Sequence, residues 1–480
     1  YLPKYSWVLS GRGSGFLTPD YSSYTDTATL PDESGSTKKS FSMRIPYYFN
    51  LAPDRDLLVA LNYMSSRRFI YEGKYRQLIA PKLSPNHKIS MWTAEGKYLP
   101  EDKVSSLKRW LVNFSNEMDI NHKTHLSAKY YRVSDKEYFK EIDRTNTNID
   151  TLKSFLKLSY TKDNLSASVL TEDEQIVNAG VPGYTKALEG SISKTYVLDT
   201  TNQTNKKNAK INAEIERQLY VQAIDTSGEI AAEEIYNKAK IKGWEYPKIT
   251  ISTNFVSTKF AHDLPAKESG IRTNGNLSVS RPLAIKYPVI TPNANISLTK
   301  YSLKNSPNIN RTVFGSGLDI DFTINNPKSI FGYKVNHRIS PVISYNYRAK
   351  KVQGNIPIFD TEDKYTDIIS FADLTSGERY SGLDRITNAN DFTLSLESSY
   401  RKIDALNNDK DLLNMRIAQS FYTDDEVVSA TSSSDYETRK SYSDIAASID
   451  TAFGKYVITN SFQFNPDTSK IVKKENSLTY

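Results

Sequence analysis

Along most of the chain, apolar and polar residues alternate with a period of two. Successive strand residues point to opposite sides of a sheet, so such segments have one apolar and one polar face. Leu156, Leu158 and Tyr160 alternate with Lys157 and Ser159; after Lys162-Asp163-Asn164, Leu165, Ala167 and Val169 alternate with Ser166 and Ser168. This predicts a hairpin turning at Asp163-Asn164. The pattern returns in Phe392, Leu394 and Leu396, in Leu413, Met415 and Ile417, and in Tyr456, Ile458, Phe462 and Phe464. Helical spacing is almost absent, so the fold class expected is all-β and antiparallel. At roughly 20 to 25 residues per strand and turn, 480 residues hold on the order of 20 strands.

A soluble sandwich and a membrane barrel both alternate in this way, so scale and the character of the two faces must separate them. A sandwich joins its apolar faces in an aliphatic core, and a chain of 480 residues built that way divides into several domains. No stretch reads as a linker between such domains. Hydrophobic residues make up 38% of the chain, its 32 Tyr cluster near strand ends, and Ser, Thr, Asn, Lys and Glu fill the other face. That distribution fits a large antiparallel transmembrane β-barrel with an apolar outside and a polar lumen. A general porin, a substrate-specific barrel transporter and a secreted soluble β-rich binding protein stay open on pattern alone. No uncharged apolar run approaches the roughly 18 residues of a spanning helix, which excludes a helical membrane protein. Basic and acidic residues, 62 and 55 (62 − 55 = +7), are interspersed; nucleic acid is therefore not expected as a partner.

Five polar stretches interrupt the strands, at about 20–39, 200–208, 224–244, 354–379 and 424–440. Barrels have short turns on one side and long loops on the other, so these are candidate extracellular loops. Within them the run 231–240 has helix-forming composition. Catalytic and metal chemistry finds little support. Zero Cys excludes thiolate metal sites and a Cys nucleophile within these residues. Of the five His, the close pair His122 and His125 would face opposite sides of a strand. The run Ser10-Gly11-Arg12-Gly13-Ser14-Gly15 lacks phosphate-loop spacing and reads as a joint between strands. No pair of carboxylates is marked out by sequence for hydrolytic chemistry. The chain is expected not to be an enzyme and to need no cofactor or metal. Tyr1 is not an initiator Met and no signal peptide opens the chain. Lys474 to Tyr480 reads as a turn followed by the start of a strand, so both ends are expected to be truncations; Tyr480 as a terminal barrel aromatic is the alternative.

Three stretches carry more than pattern. The first is Ser14-Gly15-Phe16-Leu17-Thr18-Pro19, followed by Arg44-Ile45-Pro46-Tyr47-Tyr48-Phe49-Asn50-Leu51-Ala52-Pro53-Asp54-Arg55-Asp56 and Tyr63-Met64-Ser65-Ser66-Arg67-Arg68. The second is Asn355-Ile356-Pro357-Ile358-Phe359-Asp360, after Pro341-Val342-Ile343-Ser344-Tyr345-Asn346-Tyr347. The third is Tyr380-Ser381-Gly382-Leu383-Asp384-Arg385-Ile386-Thr387-Asn388-Ala389-Asn390. In order and spacing they resemble the SGFLxP, LPYYxNxAPxxD, YMxxRG, NIPxFD and SGxDRIxxAN segments of the LptD family of LPS-assembly outer-membrane proteins. A weaker match covers Arg109-Trp110 and Val133-Ser134-Asp135-Lys136-Glu137-Tyr138-Phe139.

The resemblance implies a large barrel in the outer membrane of a Gram-negative bacterium. It would insert lipopolysaccharide into the outer leaflet through a lateral opening between its first and last strands. A plug lipoprotein (LptE), a periplasmic bridge (LptA) and outer-membrane lipid are the implied partners, and the bridge supplies the drive. Residues 1–13 would be the end of a periplasmic jellyroll and 14–480 a barrel lacking its C-terminal strands. By the same resemblance Pro19 and Pro46 match prolines of a lateral gate, since proline lacks the N–H a ladder needs; on residues alone, the preferred reading is that each starts a strand. Asp20 to Ile45 carries an insertion relative to the family pattern. Arg67, Arg68, Lys74, Arg76 and Lys82 are candidate contacts for lipid phosphates. Tyr47, Tyr48 and Phe49 fit an interfacial aromatic belt or ordinary strand packing.

Overall fold

The computed structural model describes residues 13–26, 38–79, 90–144, 149–177, 183–198, 248–283, 287–330, 333–365, 368–402, 410–425, 428, 440–453 and 455–479. Two compact units emerge: Tyr1–Lys194 with Phe255–Thr273 and Lys300–Ile309, and Thr195–Asn254 with Asn274–Thr299 and Asn310–Tyr480. The first unit begins with β1 (Gly15–Phe16), β2 (Asp20–Asp26), β3 (Lys38–Ala52), β4 (Arg55–Met64) and β5 (Arg68–Ile79). It continues with β6 (Ser90–Leu99), β7 (Arg109–Asn121), β8 (Thr124–Val133), β9 (Thr151–Lys162) and β10 (Leu165–Ile176). Strands β11 (Thr185–Leu198), β12 (Ile249–Ala261), β13 (Gly270–Ser280), β14 (Val289–Leu303) and β15 (Ile309–Asp321) contribute residues to both. The second unit adds β16 (Ile324–Ile330), β17 (Tyr333–Arg348), the helix α1 (Phe371–Ser376), β18 (Ala389–Lys402), β19 (Lys410–Tyr422), β20 (Ile445–Phe453), β21 (Tyr456–Asn465) and β22 (Lys470–Thr479).

Each unit is an antiparallel meander. β3 through β10 pair in sequence order in the first, and β17 through β22 do so in the second. β1 and β2 both pair with β3, so they are halves of one interrupted strand. β15 and β16 likewise both pair with β17. The 22 segments thus make 20 strands (22 − 2 = 20) among the described residues, in line with the length argument. The β9–β10 hairpin turns at Asp163-Asn164, with Leu165 opposite Lys162 and Asp163 at φ +50°.

The burial pattern is the inverse of a water-soluble sheet. On β18, Phe392, Leu394 and Leu396 are 44%, 46% and 39% exposed, whereas Thr393 between them is 2% exposed. Across the ladder Leu396 lies opposite Ile417, and Thr393 opposite Ser420, whose hydroxyls are 2.8 Å apart. Apolar side chains pointing out and satisfied polar ones covered make sense only where the surrounding solvent is itself apolar. Two rows of rings bound the apolar face of the first unit. Tyr21, Phe41, Tyr63 and Phe69 run across four strands with centroids 6.0, 5.9 and 4.9 Å apart. Phe16, Tyr47 and Phe49 form the other row, at 4.9 and 4.5 Å. Phe41 and Phe49 are eight residues apart on β3, about 27 Å at strand rise, close to the ~25 Å apolar band that aromatic girdles flank. Tyr47 and Phe49 therefore stand in a row of rings on the apolar face. Tyr48, expected with them, faces the polar side and donates to Asp56 (3.1 Å), because its parity in the strand is opposite.

Several expectations change. The polar stretch 20–39 contains strand at both ends, Asp20–Asp26 and from Lys38. Lys474 to Thr479 lies inside β22; the preceding turn is at 466–469, and Lys474 pairs with Phe462. In the first unit, tight turns at 53–54, 122–123 and 163–164 share one end. The connection 27–37 leaves from the other. β11 pairs antiparallel with β10, so its last residues lie toward the tight-turn end. The stretches 200–208 and 224–244, the helix-prone 231–240, the jellyroll end at 1–12, Lys82 and Tyr480 lie outside the described residues.

Candidate functional site

The first motif folds onto itself at the joint of β1 and β2. Gly15 and Phe16 pair with Tyr48 and Tyr47, and Asn50 N–H donates to Ser14 Oγ (2.9 Å). The Leu17 N–H donates to the Pro46 carbonyl at 3.0 Å. In an antiparallel ladder a residue's N–H and C=O point to the same neighbour, so the donor Pro46 lacks is missing toward the first strand and not toward β4. Pro19 lies in the gap between β1 and β2, beyond which the ladder resumes with Asp20 opposite Arg44. Pro46 thus stands opposite Leu17 at the start of the interruption and Pro19 stands at its far end, so both prolines border one gap in the ladder. Pro53 stands in the turn closing β3 and β4.

The polar face beside this joint is charged, and its cations already hold carboxylates. Arg76 grips Asp56 with two bonds of 2.9 Å, and Arg44 bonds Glu72 (2.7 Å) and Asp20 (3.2 Å). Arg68 pairs with Glu101 (2.5 Å), and Lys74 lies 3.9 Å from Glu95. Arg67 is placed differently from its neighbours: its guanidinium is fully buried and bonds Asp102 (2.6 Å) and Glu141 (3.0 Å). Arg109 joins the same cluster through Asp102 (3.2 Å), Asp135 (2.5 Å) and Glu141. Burial alone pushes the Asp102 carboxyl up, but bonds from the Val104 N–H, the Ser105 hydroxyl and the Arg67 guanidinium outweigh it and hold it below the ordinary carboxylate value. The Arg109–Asp135 bond joins the two halves of the weaker sequence match. The segment following Asp135 closes in a π-helical turn, Phe139–Asp143. Its Tyr138, Phe139 and Ile142 pack on Met64, Ile70, Leu99 and Leu111. His125 lies between Asp119 (2.7 Å) and Glu117 (2.8 Å), and no cluster suited to a metal occurs among the described residues.

In the second unit the other two motifs meet in the connection 349–388. Asp384, fully buried, accepts the N–H groups of Phe359 (2.7 Å) and Asp360 (3.0 Å), and its own N–H reaches Thr361 Oγ1 (3.2 Å). Ser381 and Glu362 exchange bonds of 2.9 and 3.0 Å. Arg385 donates to the Ile356 carbonyl (2.9 Å), beside Pro357. Gly382 is left-handed at φ +67°, and a Cβ there would meet the Asp360 carbonyl oxygen at 2.5 Å, so only glycine fits. Asn390 accepts from the Tyr345 hydroxyl (2.9 Å). Sequence reasoning missed Arg311 and Gln353, which tie the two motifs together. Arg311 donates to Gln353 (2.7 Å) and to the carbonyls of Asp384 (2.8 Å) and Leu383 (2.5 Å); Gln353 brackets Ile386 (3.1 and 2.7 Å). Neither sits in a motif, and buried polar residues outside a motif leave no periodic trace. Arg379–Asp363 (2.6 Å) and the capping box of α1, Ser370 with Asp373, complete the network. Backbone amides and carbonyls here are held largely by buried side chains, the amides by Asp384 and the carbonyls by Arg311 and Arg385. The arrangement ties the two motifs into one folded connection.

An almost wholly antiparallel β chain whose apolar residues are exposed and whose polar residues are covered has the pattern of an outer-membrane β-barrel protein. The family model described as LPS transport system D, LptD, matches residues 108–480. The chain belongs to the LptD family. It is similar to proteins named LPS-assembly protein LptD from Shewanella frigidimarina (23% identical, covering 100% of this chain and 55% of the relative) and Pseudomonas entomophila (24%, 95% and 47%). A third, from Psychrobacter arcticus, is 26% identical over 88% of this chain and 42% of the relative. The chain thus spans about half the length of the curated relatives it matches, 55% and 47% for the first two. A solved structure described as a bacterial polysaccharide outer membrane secretin aligns at only TM-score 0.23 and 9% identity, over 70% of this chain and 91% of that one.

Proposed function

We propose that this chain is the barrel portion of an outer-membrane translocon that inserts lipopolysaccharide into the outer leaflet, and that it acts without enzymatic chemistry. The lipid leaves sideways, at the interrupted first strand. The observation that carries this reading is the lapse of ladder pairing between Phe16 and Asp20, bordered by Pro19 on the first strand and by Pro46 on β3. Acyl chains need hydrocarbon while phosphates and sugars need water, and a weak seam beside a polar face serves both. Arg68, Lys74 and Arg76 exchange their carboxylate partners for lipid phosphates; Arg67 acts as a structural ion within its buried cluster. Residues 1–13 end a periplasmic jellyroll and 14–480 belong to the barrel. The end with tight turns faces the periplasm, where LptA delivers lipid, and LptE fills the lumen.

The test is photo-crosslinking to lipopolysaccharide in the full-length protein in cells, with the probe beside Pro19, beside Pro46 or at Ser166 on the polar face. Crosslinks at the first two that vanish when lipid export is blocked are the expected result. No crosslink at any position, with ion conductance of the isolated barrel indifferent to added lipopolysaccharide, would instead make the protein a porin. A further variant, Pro46→Ala, returns an N–H toward the first strand and should lower those crosslinks.

A further inference from the structure

The segment after β8 does more than cover the polar face. Arg144, which ends the π-helical turn, is left-handed at φ +61° and donates its N–H to the Phe139 carbonyl (2.7 Å). A non-glycine residue holds that conformation only where its surroundings impose it. Its guanidinium carbon lies 3.3 Å from the centroid of the Tyr24 ring. Tyr24 belongs to β2, the half of the first strand beyond the interruption, and its hydroxyl is 2.9 Å from Ser66 Oγ, next to buried Arg67. The ring also packs against the cluster containing Phe139 and Ile142. Behind Arg144 the segment is anchored by Glu141 to Arg67 and Arg109, by Asp135 to Arg109, and by Asp143 to Lys97 (3.3 Å).

We infer that residues 134–144 form a clasp on the first strand, in which Arg144 on Tyr24 sets how readily β2 leaves the sheet. As regulation of lateral exit this rests on the proposed function above; as a restraint on β2 it does not. On the side of the segment the anchor is a buried ionic cluster, and on the side of the strand it is a cation–ring contact with apolar packing of the same ring. The weaker link is therefore the one that touches β2, so opening parts Arg144 from Tyr24 and leaves the ionic cluster whole. Arg144 and Tyr24 are positioning residues, and neither is assigned to lipid.

The experiment is hydrogen exchange on the full-length protein in lipid nanodiscs, comparing amides of β2 with those of β4 in wild type, Arg144→Ala, Tyr24→Ala and the conservative Arg144→Lys and Tyr24→Phe. Loss of a partly desolvated cation–ring contact speeds local opening roughly 5- to 30-fold. The expected result is a rise of that size in β2 for both alanine variants, no change in β4, and retention of most protection by Arg144→Lys and Tyr24→Phe. Unchanged β2 exchange in both alanine variants overturns the clasp, even if lipid crosslinks appear beside Pro19. An equal rise in β4 also overturns it, because the contact would then be holding the sheet as a whole. A rise confined to β2 in a protein that gives no lipid crosslinks supports the clasp and removes the lateral-exit reading instead.

Discussion

Replacing Asp384 probes the network that joins the two motifs of the second unit. Its Oδ2 accepts two buried N–H groups, those of Phe359 and Asp360, at 2.7 and 3.0 Å. Hydrogen bonds to a charged acceptor contribute about 1.5–3 kcal/mol each, against about 0.5–1.5 for neutral ones. Asp384→Ala removes both and leaves two donors with no acceptor, a cost of about 3–6 kcal/mol. Asp384→Asn keeps an oxygen and forfeits only the charge, about 2–3 kcal/mol over the two bonds. The penalty falls on 353–386 and not on the ladders, since Asp384 lies in a connection and not in a strand. Local opening of that connection should therefore rise on the order of 100-fold or more in the alanine variant and less in the asparagine one. The assay is limited proteolysis and hydrogen exchange of the full-length protein in detergent, resolved by segment. Equal protection of 353–386 in wild type and Asp384→Ala would refute the reasoning, as would damage spread evenly over β17, β18 and β19.

Three further outcomes follow from other features. Gly382→Ala drives a Cβ against the Asp360 carbonyl and strains a left-handed residue, so it should loosen the same connection by at least about 1–3 kcal/mol, read as faster cleavage near 360–382. Leu394→Arg on the apolar face should impair folding into lipid vesicles by roughly 2–4 kcal/mol, while Ser395→Lys on the opposite face should fold nearly as wild type, judged by the heat-modifiable shift on gels. Asp102 is held below its ordinary value in the folded protein, so its contribution is complete above that value and lost only as pH falls through the depressed one. A nitroxide at exposed Lys136 should accordingly show the same restricted mobility at neutral pH and about pH 5, and gain mobility only in stronger acid; release at mild acidity would contradict that account.

What could be read from the sequence was whatever repeats at a fixed interval. Leu156 to Val169 predicted a strand pair and its turn, and the rows Phe392–Leu396 and Leu413–Ile417 stand on the exposed face because alternation alone decides the side. The motifs 355–360 and 380–390 were visible as separate strings, but nothing in their spacing indicated that Asp384 caps the amides of Phe359 and Asp360. Arg67 and Arg68 look alike in sequence, yet one is sealed by Asp102, 35 residues away, and Glu141, 74 residues away, while the other is half exposed. Such distinctions depend on loop contacts that no local pattern encodes. Tyr21 to Tyr24 reads as loop in sequence because Asp, Ser and Thr surround it; in the structure it pairs with β3, its two tyrosines on opposite faces, one in the aromatic row and one under Arg144.

The outward-facing leucines and phenylalanines of β18 and β19 have a thermodynamic corollary. In a water-soluble protein the hydrophobic contribution is internal to the chain. In this sheet much of it lies at the boundary with whatever amphiphile surrounds it, so the bilayer supplies half of the core. A melting temperature measured in micelles is then a joint property of polypeptide and detergent. Changing the alkyl chain length of the detergent should move it as surely as a mutation would.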